Sequence, residues 1–257
     1  MNLELEGRTA LVMGSSRGLG KACAEALARE GAHVILTGRK KETLQAACDA
    51  IRTSGGSASL CVADFQNLEN VAAALSSIDS VDIVITNCGG PPPGPIAAVD
   101  IATLGRHFDT MVRVPVAIAS KYLPGMRERG FGRILNIVSS GVLQPIANLG
   151  LSNMLRPAIV GWAKTLAAEV AADGVTVNSV VPGRIHTERV DELDAAAAKR
   201  RGLTPEQIAQ ASRSAIPMQR YGDPAEFAET LTFLASRRAS YITGSLVRVD
   251  GGLIAAI

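Results

Sequence analysis

Apolar residues fall along this chain in two alternating rhythms. Short β-rich runs at residues 8–13 (RTALVM), 32–37 (AHVILT), 59–63 (SLCVA), 82–86 (DIVIT), 133–138 (RILNIV), 175–180 (VTVNSV) and 245–249 (SLVRV) are mostly apolar at their centres. That is the pattern of parallel strands covered on both faces. Between them, residues 19–29, 41–51, 68–77, 101–129, 151–172 and 224–235 carry apolar positions at helical spacing. Such alternation predicts an α/β fold, a doubly wound parallel sheet of about seven strands with helices on both faces. No repeat, low-complexity tract or linker divides residues 1–257, so a single domain is expected. Residues 184–223, polar and Arg-rich around an alanine run, break the rhythm. They read as an irregular insertion on the substrate side, at the carboxyl end of a strand, where such sheets bind ligands.

The bulk numbers narrow the function classes. With 257 residues, 47% of them hydrophobic, the chain is long enough to bury a sizeable core. Twenty-six basic residues against 24 acidic ones leave a net charge of +2, which gives no electrostatic case for nucleic acid or an anionic membrane. No apolar run approaches the roughly 18 residues of a membrane span. The opening MNLELEGRTALVMG lacks a signal-peptide pattern. Cys23, Cys48, Cys61 and Cys88 lie in separate elements without C-x-x-C pairing, so neither a disulfide framework nor a zinc site is expected. The expected setting is a reducing cytoplasm.

Chemistry is most legible in MGSSRGLG (residues 13–20), which follows the first strand and opens the first helix. Gly14, Gly18 and Gly20 permit a tight turn, close backbone approach to a diphosphate and packing of helix on strand. The helix N-terminus supplies donors and positive dipole to phosphates. Ser16, Arg17 and Leu19 complete the loop.

This G-x-x-x-G-x-G spacing resembles the short-chain dehydrogenase/reductase family, and the resemblance continues along nearly the whole chain. TNCGG (86–90) is similar to the family's Asn-Asn-Ala-Gly turn, and NIVSSG (136–141) to its catalytic-serine strand. VPGRIHT (181–187) is similar to its Pro-Gly turn beside the nicotinamide. AIPMQRYGDPAEFAETLTFLAS and YITGSLVRVDGG resemble its closing helix and last strand. The branch it looks most like is that of the 3-oxoacyl-carrier-protein reductases. The resemblance implies a Rossmann fold whose cofactor contacts come from the glycine loop, Asp64, Phe65, Asn87, Cys88, Gly89, Pro182, Gly183 and Ile185. Asp64 would meet the adenine amino group, with Phe65 beside the ring.

Cofactor choice follows from charge. An acid at the end of the second strand would accept hydrogen bonds from a ribose diol and repel a 2′-phosphate. Here that strand ends in Thr37-Gly38-Arg39-Lys40. Arg39 and Arg17 can pair with a 2′-phosphate through charge-assisted forks, which points to NADP(H).

The family reduces carbonyls with a tyrosine as proton donor, a lysine that lowers its pKa and holds the ribose, a substrate-binding serine and a helix asparagine that anchors water. Ser139 matches the serine. The tyrosine position is Ser152, the lysine position Arg156 and the asparagine position Met111. Ser152 and Arg156 still share a helix face. Arg156 keeps a permanent charge and can hold ribose hydroxyls. An aliphatic hydroxyl, however, is a far weaker acid than a phenol near pKa 10. Ser139, Ser152 and Arg156 are therefore the candidate catalytic set, with a held water as relay. Ser152 could equally serve only as a helix cap.

His186 is a candidate substitute acid. Tyr122 reads as core or interface, Tyr221 as an edge of the insertion, and His33 and His107 as structural or surface residues. GGPPPGPI (89–96) predicts a stiff, donor-poor wall that narrows the substrate mouth. Two functions from different classes remain, with a third below them, a different reaction on the same cofactor with His186 as acid. One is an atypical NADP(H)-dependent reductase of a small carbonyl or alcohol. The other is a catalytically silent NADP(H)-binding sensor or scaffold. The resemblance also implies a homotetramer paired through 101–129, 151–172 and the last strand, with Phe131, Trp162 and the tail 253–257 as apolar surface to be buried.

Overall fold

The structure, a computed structural model, describes residues 1–256; the last residue of the apolar tail, Ile257, lies outside the described residues. Strands β1 (Thr9–Val12), β2 (His33–Gly38), β3 (Ser57–Val62), β4 (Ile83–Thr86), β5 (Gly132–Ile137), β6 (Val175–Pro182) and β7 (Leu246–Val249) form one parallel sheet in the order β3-β2-β1-β4-β5-β6-β7. The winding direction reverses between β1 and β4. There the carboxyl ends of the strands open a crevice that neither helical layer closes.

Helices α1 (Gly18–Arg29), α2 (Lys41–Thr53), α3 (Leu68–Ala74), α4 (Ile101–Phe108), α5 (Val114–Glu128), α6 (Gly150–Val170), α7 (Glu188–Arg201), α8 (Pro205–Ser214) and α9 (Pro224–Ala235) complete the chain. Side chains alternate across the strands. Val12, Leu36 and Ile85 pack with Leu27, Leu44, Phe227 and Leu231 from α1, α2 and α9. Leu11, Val84, Ile134 and Val177 pack on the other face with Ile118, Met126, Ala163 and Ala167 from α5 and α6. Every residue of β4 and β5 is buried, as a sheet covered on both faces requires.

Three findings differ from the expectations. Residues 101–129 are not one regular α-helix, because a π turn at Asp109–Arg113 separates α4 from α5. Pro115 lies two residues further on, and its missing N–H and its ring remove the bond to Met111 that an α-helix would make. Residues 184–223 are not irregular but hold the helices α7 and α8. Glu188 and Asp191 open α7, Lys199, Arg200 and Arg201 close it, and Gly202 ends it at φ +67°. A capping box then starts α8: Gln207 N donates to Thr204 Oγ1 at 3.2 Å, and Thr204 N donates to Gln207 Oε1 at 2.9 Å.

The third difference concerns Phe131, which is 2% exposed and offers no surface to a partner. Its ring lies 4.0 Å from the guanidinium carbon of Arg8 and 4.3 Å from that of Arg133. Arg133 is itself buried and donates to the carbonyls of Ser236, Gly132 and Gly174. Burial, together with Arg237 and Arg8, lowers its pKa to about 10. A guanidinium can be held there because three carbonyls replace its water. Trp162 is half-buried, and Leu253 and Ile254 are half-buried where the tail folds back beside β7.

Candidate active site

The β1–α1 turn is built so that only glycine fits at two of its positions. Gly14 has φ +58°, and a Cβ on it would sit 2.7 Å from the carbonyl oxygen of Asn87. A Cβ on Gly20 would run into the carbonyl of Gly14 and lie 2.7 Å from Asn87 Nδ2. Asn87 Nδ2 in turn donates to Gly14 O at 3.1 Å, joining the glycine turn to the end of β4. No side chain caps the N-terminus of α1, and its first turn holds no acid. Its free N–H groups and dipole therefore face the crevice. A cradle a Cβ would fill, with bare donors beside it, fits the diphosphate of a dinucleotide.

Ser15 was not singled out in the sequence, yet it holds this turn together. Its hydroxyl donates to Val12 O at 2.8 Å and accepts from Thr37 N at 2.9 Å, fully buried between β1 and β2. Nothing in the string SSR distinguishes it from Ser16. Ser16 Oγ lies 3.8 Å from where a Cβ on Gly38 would be, so Ser16 borders the end of β2. Leu19 packs on the core below the turn. Arg39 is exposed at the end of β2, and among the described residues no carboxylate lies within ion-pair distance of it.

Arg17 does not join Arg39. It reaches the other way, to Glu188 at 3.4 Å and Glu192 at 3.6 Å on α7. The Asp64 carboxylate accepts from Gln66 N at 3.1 Å. Phe65 belongs mainly to the core around Val71 and Leu75. Gly183 N donates to Val249 O at 2.9 Å, and a Cβ on Gly183 would meet Asp250 Cα at 2.6 Å, so the Pro182-Gly183 turn is clamped against the end of β7. Ile185 is buried at the same edge.

The second wall forms beyond β5. Ser139 is extended (φ −157°), and its Oγ accepts from Gly141 N at 3.1 Å, opening the short 3-10 turn Ser140–Val142. A Cβ on Gly141 would lie 2.6 Å from Asn153 Oδ1 and 3.4 Å from Ser139 Oγ. Ser139 and the first turn of α6 thus close on the same glycine. Asn153, also missed in the sequence, clamps the loop between them: Ile146 N donates to its Oδ1 at 3.1 Å, and its Nδ2 donates to Ile146 O at 2.8 Å. Ser152 is buried beside it, inside the first turn of α6, whose cap is Leu149, so Ser152 does not cap the helix.

One turn along α6, Arg156 Nη1 donates to Ile137 O at 2.7 Å and Nη2 to Cys88 O at 3.4 Å. The guanidinium ties the carboxyl ends of β4 and β5 together, with Gly89 next in line after Cys88. Below it, Cys88, Met111, Leu151 and Leu155 form an apolar plug. Burial raises the pKa of the Cys88 thiol against a smaller opposing pull from Arg156, which keeps it a neutral packing group.

Tyr122 is buried, its hydroxyl has no partner among the described residues, and burial pushes its pKa up to about 12. Tyr221 donates to the buried Asp194 at 2.6 Å, and Arg184 holds the other carboxylate oxygen at 2.9 Å. Burial and the bond to Asp194 raise the Tyr221 pKa. His186 is exposed and lies 3.4 Å from Asp191. The proline segment is docked from both sides. Gly94 N donates to Asn148 O at 2.8 Å, and Gly150 N donates to Gly94 O at 3.2 Å. Arg189 Nη2 donates to Pro91 O at 2.7 Å.

Comparison with known proteins agrees with this architecture. The family described as enoyl-(acyl carrier protein) reductase matches residues 14–254. The 3-oxoacyl-[acyl-carrier-protein] reductase FabG of Vibrio cholerae is 35% identical over 254 residues, covering 98% of this chain and 99% of the relative. The NADPH-dependent reductase BacG of Bacillus subtilis is 30% identical over 97% of this chain and 99% of its own length. Among solved structures, L-sorbose reductase from Gluconobacter frateurii, complexed with NADPH and L-sorbose, superposes with a TM-score of 0.93 at 31% identity over the whole of both chains. The chain belongs to the short-chain dehydrogenase/reductase family.

Proposed function

We propose that the protein is an NADP(H)-dependent oxidoreductase that reduces a small carbonyl compound, or oxidises the corresponding alcohol, with an altered proton-donating group. The observation that carries the reading is the junction at Gly141, where Ser139 and the start of α6 close on one residue, on a wall that Arg156 ties to Cys88 next to the Asn87 that braces the glycine turn. NADPH-bound and NADPH-dependent relatives support the choice of cofactor, as does Arg39, exposed at the end of β2 with no carboxylate within ion-pair distance among the described residues. The whole chain is one dinucleotide-binding domain in this reading, with α7 and α8 on its substrate side.

The glycine turn would hold NADPH, which would supply the hydride when bound. Ser139 binds the substrate oxygen and stabilises the charge that develops on it. Ser152 and Arg156 occupy the family's tyrosine and lysine positions. Ser152 is too short and too weak an acid to replace a phenol directly, so it orients a water that delivers the proton. Arg156 adds positive charge beside that water while its fork braces β4 and β5. Met111 stands at the family's asparagine position, and its place in an apolar plug supports a relay that does not run through the π turn. The prolines at 91–93 and the docked loop at 146–150 bound the substrate mouth and favour small or slender substrates.

Subunit pairing through α4, α5 and α6 into a homotetramer belongs to the same reading. It is supported by the 81% exposed Ile101 and the 41% exposed Phe108 on α4. The test is a panel of aldehydes and ketones with NADPH, followed by loss of reduced-cofactor absorbance, beside Ser139→Ala. Substrate-dependent oxidation that falls about a hundredfold in the variant is expected. NADPH binding without turnover on any substrate would make the protein a cofactor sensor or scaffold instead.

A further inference from the structure

The first turn of α7 sits between the glycine turn and the proline segment and is fastened to both. On one side Arg17, from the glycine turn, meets Glu188 at 3.4 Å and Glu192 at 3.6 Å. On the other, Arg189 donates to Pro91 O at 2.7 Å and to Glu192 at 3.2 Å, so Glu192 is shared between the two fasteners. Between them, the Thr187 side chain lies 3.9 Å from where a Cβ on Gly18 would be. The strap therefore touches the glycine turn itself.

Arg17 has one fork and two claims on it. Resting on the assignment of NADP(H) above, the 2′-phosphate needs Arg17 as well as Arg39. Both glutamates of α7 hold Arg17 by surface pairs, with Arg17 64% exposed and Glu188 and Glu192 62% and 48%. Such pairs are weak enough to be exchanged. A phosphate carrying close to two charges and three acceptor oxygens outcompetes either carboxylate, whereas a ribose hydroxyl does not. We propose that Glu188 and Glu192 are specificity-determining residues that act through Arg17, as counter-ions that a 2′-phosphate displaces and a 2′-hydroxyl leaves in place. NADPH affinity is thereby held below what the two arginines alone would give. The phosphate group also releases the glycine-turn fastener of α7, leaving only the Arg189 side.

Calorimetric titration of NADPH and NADH into four proteins tests this: the unaltered chain, Glu188→Gln/Glu192→Gln, Arg17→Ala, and the triple variant. Removing the acids should tighten NADPH about two- to fivefold, the range of one or two surface ion pairs. NADH should change by less, and the gain should vanish in the Arg17→Ala background. No tightening of NADPH overturns the proposal. So does equal tightening with and without Arg17, which would be a general effect of removing negative charge near an anionic ligand. If the unaltered chain binds no NADPH, the cofactor assignment falls and this proposal with it. NADPH binding that ignores the acid substitutions overturns this proposal alone.

Discussion

Arg156 Nη1 donates to the carbonyl of Ile137 at 2.7 Å, which places a guanidinium one helical turn past Ser152 at the meeting point of β4 and β5. If these residues fill the family's lysine and tyrosine positions, Ser152→Tyr with Arg156→Lys should raise turnover of a simple carbonyl substrate. General acid catalysis contributes about 10²–10⁴-fold. The lower end is expected, because Met111 remains an apolar plug and the proline wall stays in place. Steady-state NADPH oxidation reads the effect. A fall from a measurable starting rate would show a native mechanism that depends on both residues as they stand.

Arg39→Ala should weaken NADPH and leave NADH nearly unchanged. A hydrogen bond to a charged partner contributes about 1.5–3 kcal/mol. The ratio of the two dissociation constants should therefore shift by tenfold or more, measured by cofactor fluorescence. An unchanged ratio would remove Arg39 from the phosphate site.

Asn153→Ala should loosen the loop between Ser139 and Ser152. Two side-chain bonds to Ile146 are lost, and an N–H and a carbonyl are left to find water. The expected loss is about 1–2 kcal/mol in urea denaturation. Cofactor affinity should change little, since Asn153 touches the substrate-side loop and not the glycine turn. A wild-type midpoint in the variant would show that the loop is held by other contacts.

Tyr122→Phe should be neutral or mildly stabilising, by up to about 1 kcal/mol. The hydroxyl is buried with no partner, and removing an unsatisfied polar group removes its desolvation cost. Thermal unfolding checks this. A clear loss of stability would mean that the hydroxyl has a partner in solution.

The strands were legible in the sequence because each is a short apolar run, and all seven form within a few residues of where the pattern puts them. The glycine turn was legible because Gly14 and Gly20 are steric necessities. The helices at 188–201 and 205–214 were not, since ERVDELDAAAAKRR has only Val190 and Leu193 as large apolar residues and is marked instead by its charge placement and the glycine that ends it. Thr204, Pro205 and Gln207 did carry a start signal for the second. The π turn has its trace in Pro115. Ser15 acts through a buried bond to Thr37, 22 residues away, and Asn153 through a half-buried pair of bonds to Ile146, seven residues back in a loop; no local pattern announces either partner. The same holds for Arg17: its loop position suggested a phosphate, but only the fold brings Glu188 and Glu192 to it. Phe131 was misread for a related reason. A large apolar residue after a helix looks exposed until Arg8 and Arg133 are found against its ring.

Hydride transfer itself is the central claim, and isotope transfer measures it without reference to the identity of the proton donor. The protein is incubated with NADPH deuterated at the transferring nicotinamide position and with any carbonyl substrate that supports oxidation, and the alcohol is examined by mass spectrometry and NMR. The account predicts one deuterium on the carbinol carbon, formed by the unaltered protein and about a hundredfold more slowly by Ser139→Ala. NADPH bound at the crevice with no labelled alcohol from any aldehyde or ketone would contradict it.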